Sequence, residues 1–172
     1  MDVRLAIAAR REVRSYAPEP LPVDVVERIL DAGRLAGSSQ NRQPWTFVVV
    51  ESKDRVERLA AAVYEPTNLL GAALVVAVVV RGKGPTSFDA GRAAENMLLQ
   101  AWSDGVGACP NGIADAEAAR GVLELVDEDD KIAIVLSFGY PARPRDPSAR
   151  TADEWSARAK RRPLSDVVRR LR

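Results

Sequence analysis

The chain has 172 residues, a length that suits one domain, and 47% of them are hydrophobic, enough for a sizeable core. Lys and Arg total 25 against 24 Asp and Glu, a net charge of +1, so no bulk electrostatic attraction to nucleic acid is expected. There is no histidine and a single cysteine, Cys109, which excludes His-based triads, His-ligated metals, intrachain disulfides and Cys-rich metal centres. Only four of the cations are lysines, so positive charge is delivered mostly as planar guanidinium forks suited to phosphate and carboxylate. The opening MDVRLAIAARREVRSY is too charged for a secretory signal. The longest apolar run, Ala72–Val80, is far shorter than the roughly 18 residues that read as a membrane span. These features predict a soluble, cytoplasmic protein, with no membrane or nucleic-acid partner, whose chemistry comes from a bound cofactor.

In chain order, apolar spacing predicts a short helix over 2–11. Pro18, Pro20 and Pro22 then force an extended crossing. A second helix is predicted at about 23–36, with Val25, Val26, Ile29 and Leu30 on one face. Gly33 on that face allows a close neighbour, and Gly37 is placed to cap the helix end. The polar loop SSQNRQ leads into a strand over 45–50, then a helix at about 53–63 and a loop holding Pro66 and Asn68. Ala73–Arg81, almost wholly apolar and β-branched, reads as a central strand buried on both faces.

A long helix follows at about 87–104, apolar over so broad an arc that it is expected to touch a second surface such as another subunit. GVGACPNG gives a short strand and turn, 114–125 a helix and 131–138 a strand. The tail from Pro141 is rich in arginine and proline until PLSDVVRRL suggests a last short helix. The fold class expected is α+β, three-layer, with helices on both faces of one sheet. It forms a single domain over 1–172, with 141–172 as a C-terminal arm.

Four clusters can carry chemistry. Arg10, Arg11 and Arg14 end the first helix, and residues 10 and 14 would share a face if the helix persists. They read either as a solvated helix end that suits the macrodipole or as a phosphate site. Lys160, Arg161 and Arg162 form a second basic group before Pro163. Ser38-Ser39-Gln40-Asn41-Arg42-Gln43-Pro44-Trp45 offers hydroxyls and amides for a polar heterocycle, or is simply a helix-to-strand loop. Gly105–Gly112 lets backbone approach a flat ligand, yet its spacing is not that of a dinucleotide fingerprint. Each is weak alone.

Their order is more informative. An Arg-rich first helix, a proline-bearing crossover, SSxNxQPW before a strand, a GxGxCP turn, GYP after the last core strand and a K-R-R-P-L end together resemble the nitroreductase family of FMN-dependent enzymes. The resemblance runs from about Ile7 to Val168. It implies a mixed or antiparallel central sheet in an intertwined homodimer with two FMN sites at the interface. By that resemblance Arg10 and Arg11, with Lys160 and Arg162 from the tail, reach the FMN phosphate, and Arg14 lies near the flavin pyrimidine edge. Ser38, Ser39 and Asn41 match the loop given by the partner subunit, supported by Gln43, while Pro110, Asn111 and Gly112 match the turn beside N5. No side chain need act as acid or base, because the flavin carries the chemistry.

The implied activity is ping-pong transfer of a hydride from NADH or NADPH, through flavin N5, to an electron-poor small molecule such as a nitroaromatic or quinone. Two departures stand out. The family commonly has serine where this chain has Glu12, an acceptor that repels phosphate. No long insertion between Gly82 and Glu95 supplies a lid. They motivate an alternative, an FMN storage or sensor protein with little turnover. Cys109 is expected to be buried packing.

Overall fold

The run Leu74–Val80 (β2) is the centre of the molecule: all seven residues are buried, and alternate side chains point to opposite faces of the sheet. Leu74, Val76, Val78 and Val80 join one core, and Val75, Ala77 and Val79 join the other. A computed structural model describes residues 1–171, so the last residue of the expected 1–172 domain and 141–172 arm lies outside the described residues. The sheet order is β1-β2-β4-β3, with β1 Trp45–Val49, β3 Gly107–Asn111 and β4 Lys131–Gly139, every pair antiparallel. Pairing of Val78 with Ile134 but Val79 with Ile132 places a bulge at Ala133.

On the first face lie α2 (Val23–Arg34) and α5 (Thr86–Ser103). On the second lie α3 (Lys53–Ala60), the short α4 (Thr67–Leu70) and α6 (Ala116–Val122). This is the three-layer α+β arrangement that the patterning predicts. The wide apolar arc of α5 is filled within the chain, because the helix is packed between α2 and the sheet. Gly33 permits that closeness, since a Cβ there would stand 2.3 Å from Met97 Cε. Ser52 and Asp115 cap α3 and α6 by accepting from the N–H of Arg55 and Ala118.

Several boundaries differ from expectation. The first helix, α1, spans only Val3–Ala9, because Arg10 (ψ 136°) turns the chain extended. Arg10 and Arg14 therefore do not share a helical face. Gly37 is not the cap of α2, which ends through Leu35 in the right-handed region; Gly37 instead leaves room for the Arg92 guanidinium. The loop around Asn68 contains α4, and the tail holds α7 (Ala152–Arg158) ahead of the predicted last helix, α8 (Leu164–Val167). A complete capping box of Thr151 and Glu154 starts α7.

The chain gathers into two compact units, one of Met1–Arg10 with the segment from Asp146 onward, the other Arg11–Arg145. In the first, α1 packs on α7, and Arg4 pairs with Asp153. Trp155 donates its indole N–H to the Pro147 carbonyl and lies beneath the Arg150 guanidinium.

In the second unit, residues 12–16 lie along the outer side of β3 and the end of β4. Glu12 bridges Ala108 in parallel, the Val13 N–H donates to the Ala108 carbonyl at 3.0 Å, and Tyr16 bridges Pro141. Two glycines opposite each other in the β3–β4 register, Gly107 and Gly139, make room. A Cβ at Gly107 would stand 2.6 Å from Val13 Cβ, and one at Gly139 2.9 Å from Tyr16 Cγ. Gly107→Ala is therefore expected to lower stability by about 1–3 kcal/mol through overpacking against a stiff β-branched neighbour. Gly121→Ala, in α6 where a Cβ meets nothing within 4 Å, is expected to raise it by roughly 0.5–1 kcal/mol. Urea unfolding of the two variants checks both signs.

Candidate functional site

The seam beside β3 delivers Arg14 to a cavity of about 610 Å³. One wall is the end of β3 and its turn, Cys109–Gly112; the opposite wall comes from the α3–α4 connection, with Tyr64, Glu65, Thr67 and Asn68. Four of the expected site residues, Arg14, Pro110, Asn111 and Gly112, thus meet around one space. Pro110 is tolerated because β3 is an edge strand of the ladder. Cys109 is buried in the sheet, as expected.

Beneath that wall runs a buried polar network. Asn111, 4% exposed, donates its Nδ2 hydrogens toward the Cys109 carbonyl (2.9 Å), Ser137 Oγ (3.1 Å) and the Val135 carbonyl (3.3 Å). The Tyr16 hydroxyl lies 2.7 Å from the Val13 carbonyl and 3.0 Å from Ser137 Oγ, which ties the Arg14 segment to the sheet. Burial pushes the Tyr16 phenol well above its ordinary range, so it stays a neutral hydrogen-bonding group. With its donors engaged, Asn111 keeps a buried Oδ1 that no donor meets. Asn68, 5% exposed and facing the same cavity, has no side-chain hydrogen bond among the described residues. Asn68 thus offers a ligand both a donor and an acceptor at this wall, while Asn111 stiffens the strand behind it.

Sequence reasoning missed the α3–α4 wall. The available signals were an asparagine set among apolar residues and a tyrosine, Tyr64, that proves 78% exposed beside a glycine turn. The Tyr64 N–H donates to the Gly112 carbonyl at 3.1 Å, so the two walls are joined by backbone.

The Ser38–Gln43 loop does not line this cavity. It is built as a strained turn: Gln40, Asn41 and Gln43 all take left-handed backbone (φ 53°, 56° and 48°). The Ser38 hydroxyl accepts from the Gln43 N–H at 2.8 Å, and the Gln43 side chain donates to the Asn41 carbonyl at 3.3 Å. The Ser39 N–H donates to Asp89 Oδ2 at 3.0 Å, and Asp89 is only 2% exposed. Arg92, one turn along α5, stands 3.9 Å from the other carboxylate oxygen and fills the space beside Gly37. Asp89 was also missed, although a lone carboxylate on the buried stripe of α5 marks a position that needs a partner.

Arg10, Lys160 and Arg162 fall together in the other compact unit, whereas Arg11 opens the unit that holds Arg14. Arg10 is half-buried at the C-cap of α1. Lys160 takes left-handed backbone (φ 50°) just after α7, and Arg162 donates to the Asp166 carbonyl at 2.9 Å. Both are exposed.

Comparison with known proteins relates the whole chain to one family. The model of the nitroreductase family matches residues 7–84 and 85–140. A protein of Methanothermobacter thermautotrophicus, provisionally named NADH dehydrogenase/NAD(P)H nitroreductase, is 30% identical over 152 residues, covering 83% of this chain and 78% of its own. A similarly named protein of Archaeoglobus fulgidus is 31% identical over 149 residues, covering 81% and 86%. Among solved structures, a provisionally named nitroreductase of Desulfovibrio desulfuricans in complex with FMN superposes with a TM-score of 0.83 at 27% identity, covering 100% of this chain and 98% of its own. No helix among the described residues is long and apolar enough to cross a membrane.

The Asp89 anchor makes a local prediction. Asp89→Ala removes a charge-assisted hydrogen bond and is expected to raise amide exchange across residues 38–43 about tenfold or more. Asp89→Asn, which keeps an acceptor for the Ser39 N–H, is expected to stay near the parent rate. Hydrogen-exchange mass spectrometry reads both.

Proposed function

The chain belongs to the nitroreductase family, and from that premise we propose that it is an FMN-dependent oxidoreductase that works by ping-pong turnover on one open cavity. The observation that carries this reading is the meeting of Arg14 with the Pro110–Gly112 turn and the Asn68 side chain around about 610 Å³. FMN held in that cavity would supply the redox chemistry, hydride transfer from NADH or NADPH to a nitroaromatic, a quinone or a similar electron-poor acceptor. The FMN complex of the Desulfovibrio relative and the NAD(P)H nitroreductase names of the archaeal ones support the cofactor and the donor.

The chain's own residues bind and orient. Arg14 offers a fixed positive charge at the pyrimidine edge, where negative charge gathers on reduction. Asn68 would meet the ring edge, with Asn111 stiffening the wall behind it, and the Pro110–Gly112 turn would lie toward N5. Arg10, Arg11, Lys160 and Arg162 neutralise the phosphate. Ser38, Ser39 and Asn41, supported by Gln43, serve the flavin of the second subunit in a homodimer, for which a preset turn held by Asp89 is suited. The outer side of β1 has no strand partner among the described residues, and Leu164 and Val167 of the tail are exposed, which supports a second copy as the covering surface. Residues 81–85 link β2 directly to α5, leaving the cavity without a lid from that connection and open to donor and acceptor in turn. The compartment in keeping with this reading is the cytoplasm.

The purified protein is expected to show the visible bands of oxidised flavin, which bleach on anaerobic addition of NADH or NADPH and return with an acceptor. Steady-state plots at varied donor and acceptor are expected to give parallel lines. A yellow protein that resists both donors would replace this reading with flavin storage or sensing, and a colourless protein that refuses added FMN would overturn it.

A further inference from the structure

The α3–α4 wall of the cavity carries a charge of its own. Glu65 lines it between Tyr64 and Thr67, and two hydrogen bonds set its place. The Thr67 hydroxyl donates to Glu65 Oε1 at 2.7 Å, and the Asn68 N–H donates to the Glu65 carbonyl at 3.2 Å. Pro66 disfavours helical backbone at Glu65, which keeps that residue ahead of α4 rather than within it. Glu65 and Arg14 line one cavity, yet neither has an ion-pair partner among the described residues. The two charges do not neutralise each other, so each is open to a ligand.

Tyr64, the preceding residue, sets its exposed ring against the glycine turn, where Cδ2 would stand 3.2 Å from a Cβ at Gly112. An aromatic ring and a carboxylate side by side suit a flat cation, which the ring attracts through its quadrupole and Glu65 through its charge. An anion of the same shape meets repulsion from Glu65 instead. With a flavin ring on the Arg14 side, Glu65 is the charge that an arriving acceptor meets. No lid from residues 81–85 shields it. We propose that Glu65 sets the charge class of the acceptor, favouring cationic electron-poor aromatics, such as nitroarenes bearing a quaternary ammonium, over anionic nitroarene carboxylates. The reaction itself rests on the oxidoreductase reading, whereas the charge selection rests on the cavity wall alone.

The test compares three acceptors in the full-length protein: para-nitrobenzyltrimethylammonium, para-nitrobenzamide and para-nitrobenzoate. Each is reduced from nitro to nitroso by NADH or NADPH and one proton, with release of water. Glu65→Gln keeps a carbonyl oxygen for the Thr67 hydroxyl and removes only the charge. In that variant, kcat/KM relative to the neutral amide is expected to fall about three- to tenfold for the cation and to rise by a similar factor for the anion. Both shifts shrink at high salt, because Glu65 is exposed. A common factor for all three acceptors, or no change, overturns the selection and leaves the oxidoreductase reading standing. Binding reads the selection apart from turnover. Benzyltrimethylammonium, benzamide and benzoate, which have no nitro group to reduce, are titrated into the purified protein and followed by NMR at the Tyr64 and Gly112 amides. A preference for the ammonium over benzoate that is lost in Glu65→Gln supports the selection even where no acceptor is reduced, a result that overturns the oxidoreductase reading alone. No such preference in the parent, or one that survives the substitution, overturns the selection.

Discussion

The contact on which the rest depends is the fit of residues 12–16 against the paired glycines of β3 and β4. Val13 over Gly107 and Tyr16 over Gly139 bring a charged segment to within backbone hydrogen-bonding distance of an otherwise apolar sheet. A side chain at either glycine would displace that segment and carry Arg14 with it. The cavity has Arg14 in its wall, so the seam defines that boundary. The Tyr16–Ser137–Asn111 network then locks the seam from below with hydrogen bonds that burial strengthens.

The same design separates rigidity from chemistry. The sheet and its two cores fix the cavity wall at β3, and the Asn111 donors are settled internally behind it. The Ser38–Gln43 turn follows the same logic at a distance, because three left-handed residues are held in place by a hydroxyl cap and a buried carboxylate. Strain of that kind persists only where the surroundings over-determine it, and here Asp89 does so. With no histidine in the chain, an arrangement that binds and orients while the cofactor reacts is the chemistry the residue set can support.

The layers were legible because β2 is apolar without interruption and its flanking helices have clean 3.6-residue spacing. Pro110, Asn111, Gly112 and Arg14 were legible as a set through their order along the chain, and the structure places them around one cavity. What escaped had tertiary causes. Arg10 leaves the first helix because Glu12 and Val13 pair with Ala108, a contact that no local pattern announces. Gly37 looked like a cap, but its lack of a side chain serves Arg92 from another helix. Asn68 sits in what local composition reads as a loop, and Asp89 lies within an apolar stripe. Each is informative only once the fold supplies its neighbour.

The most direct measurement is a crystal structure of the protein grown or soaked with FMN. The account predicts the flavin ring in the cavity of about 610 Å³, with Arg14 at its pyrimidine edge, the Pro110–Gly112 turn beside N5, and Asn68 meeting a ring heteroatom. A ring bound elsewhere, or a cavity that stays filled only with water at saturating FMN, would contradict it.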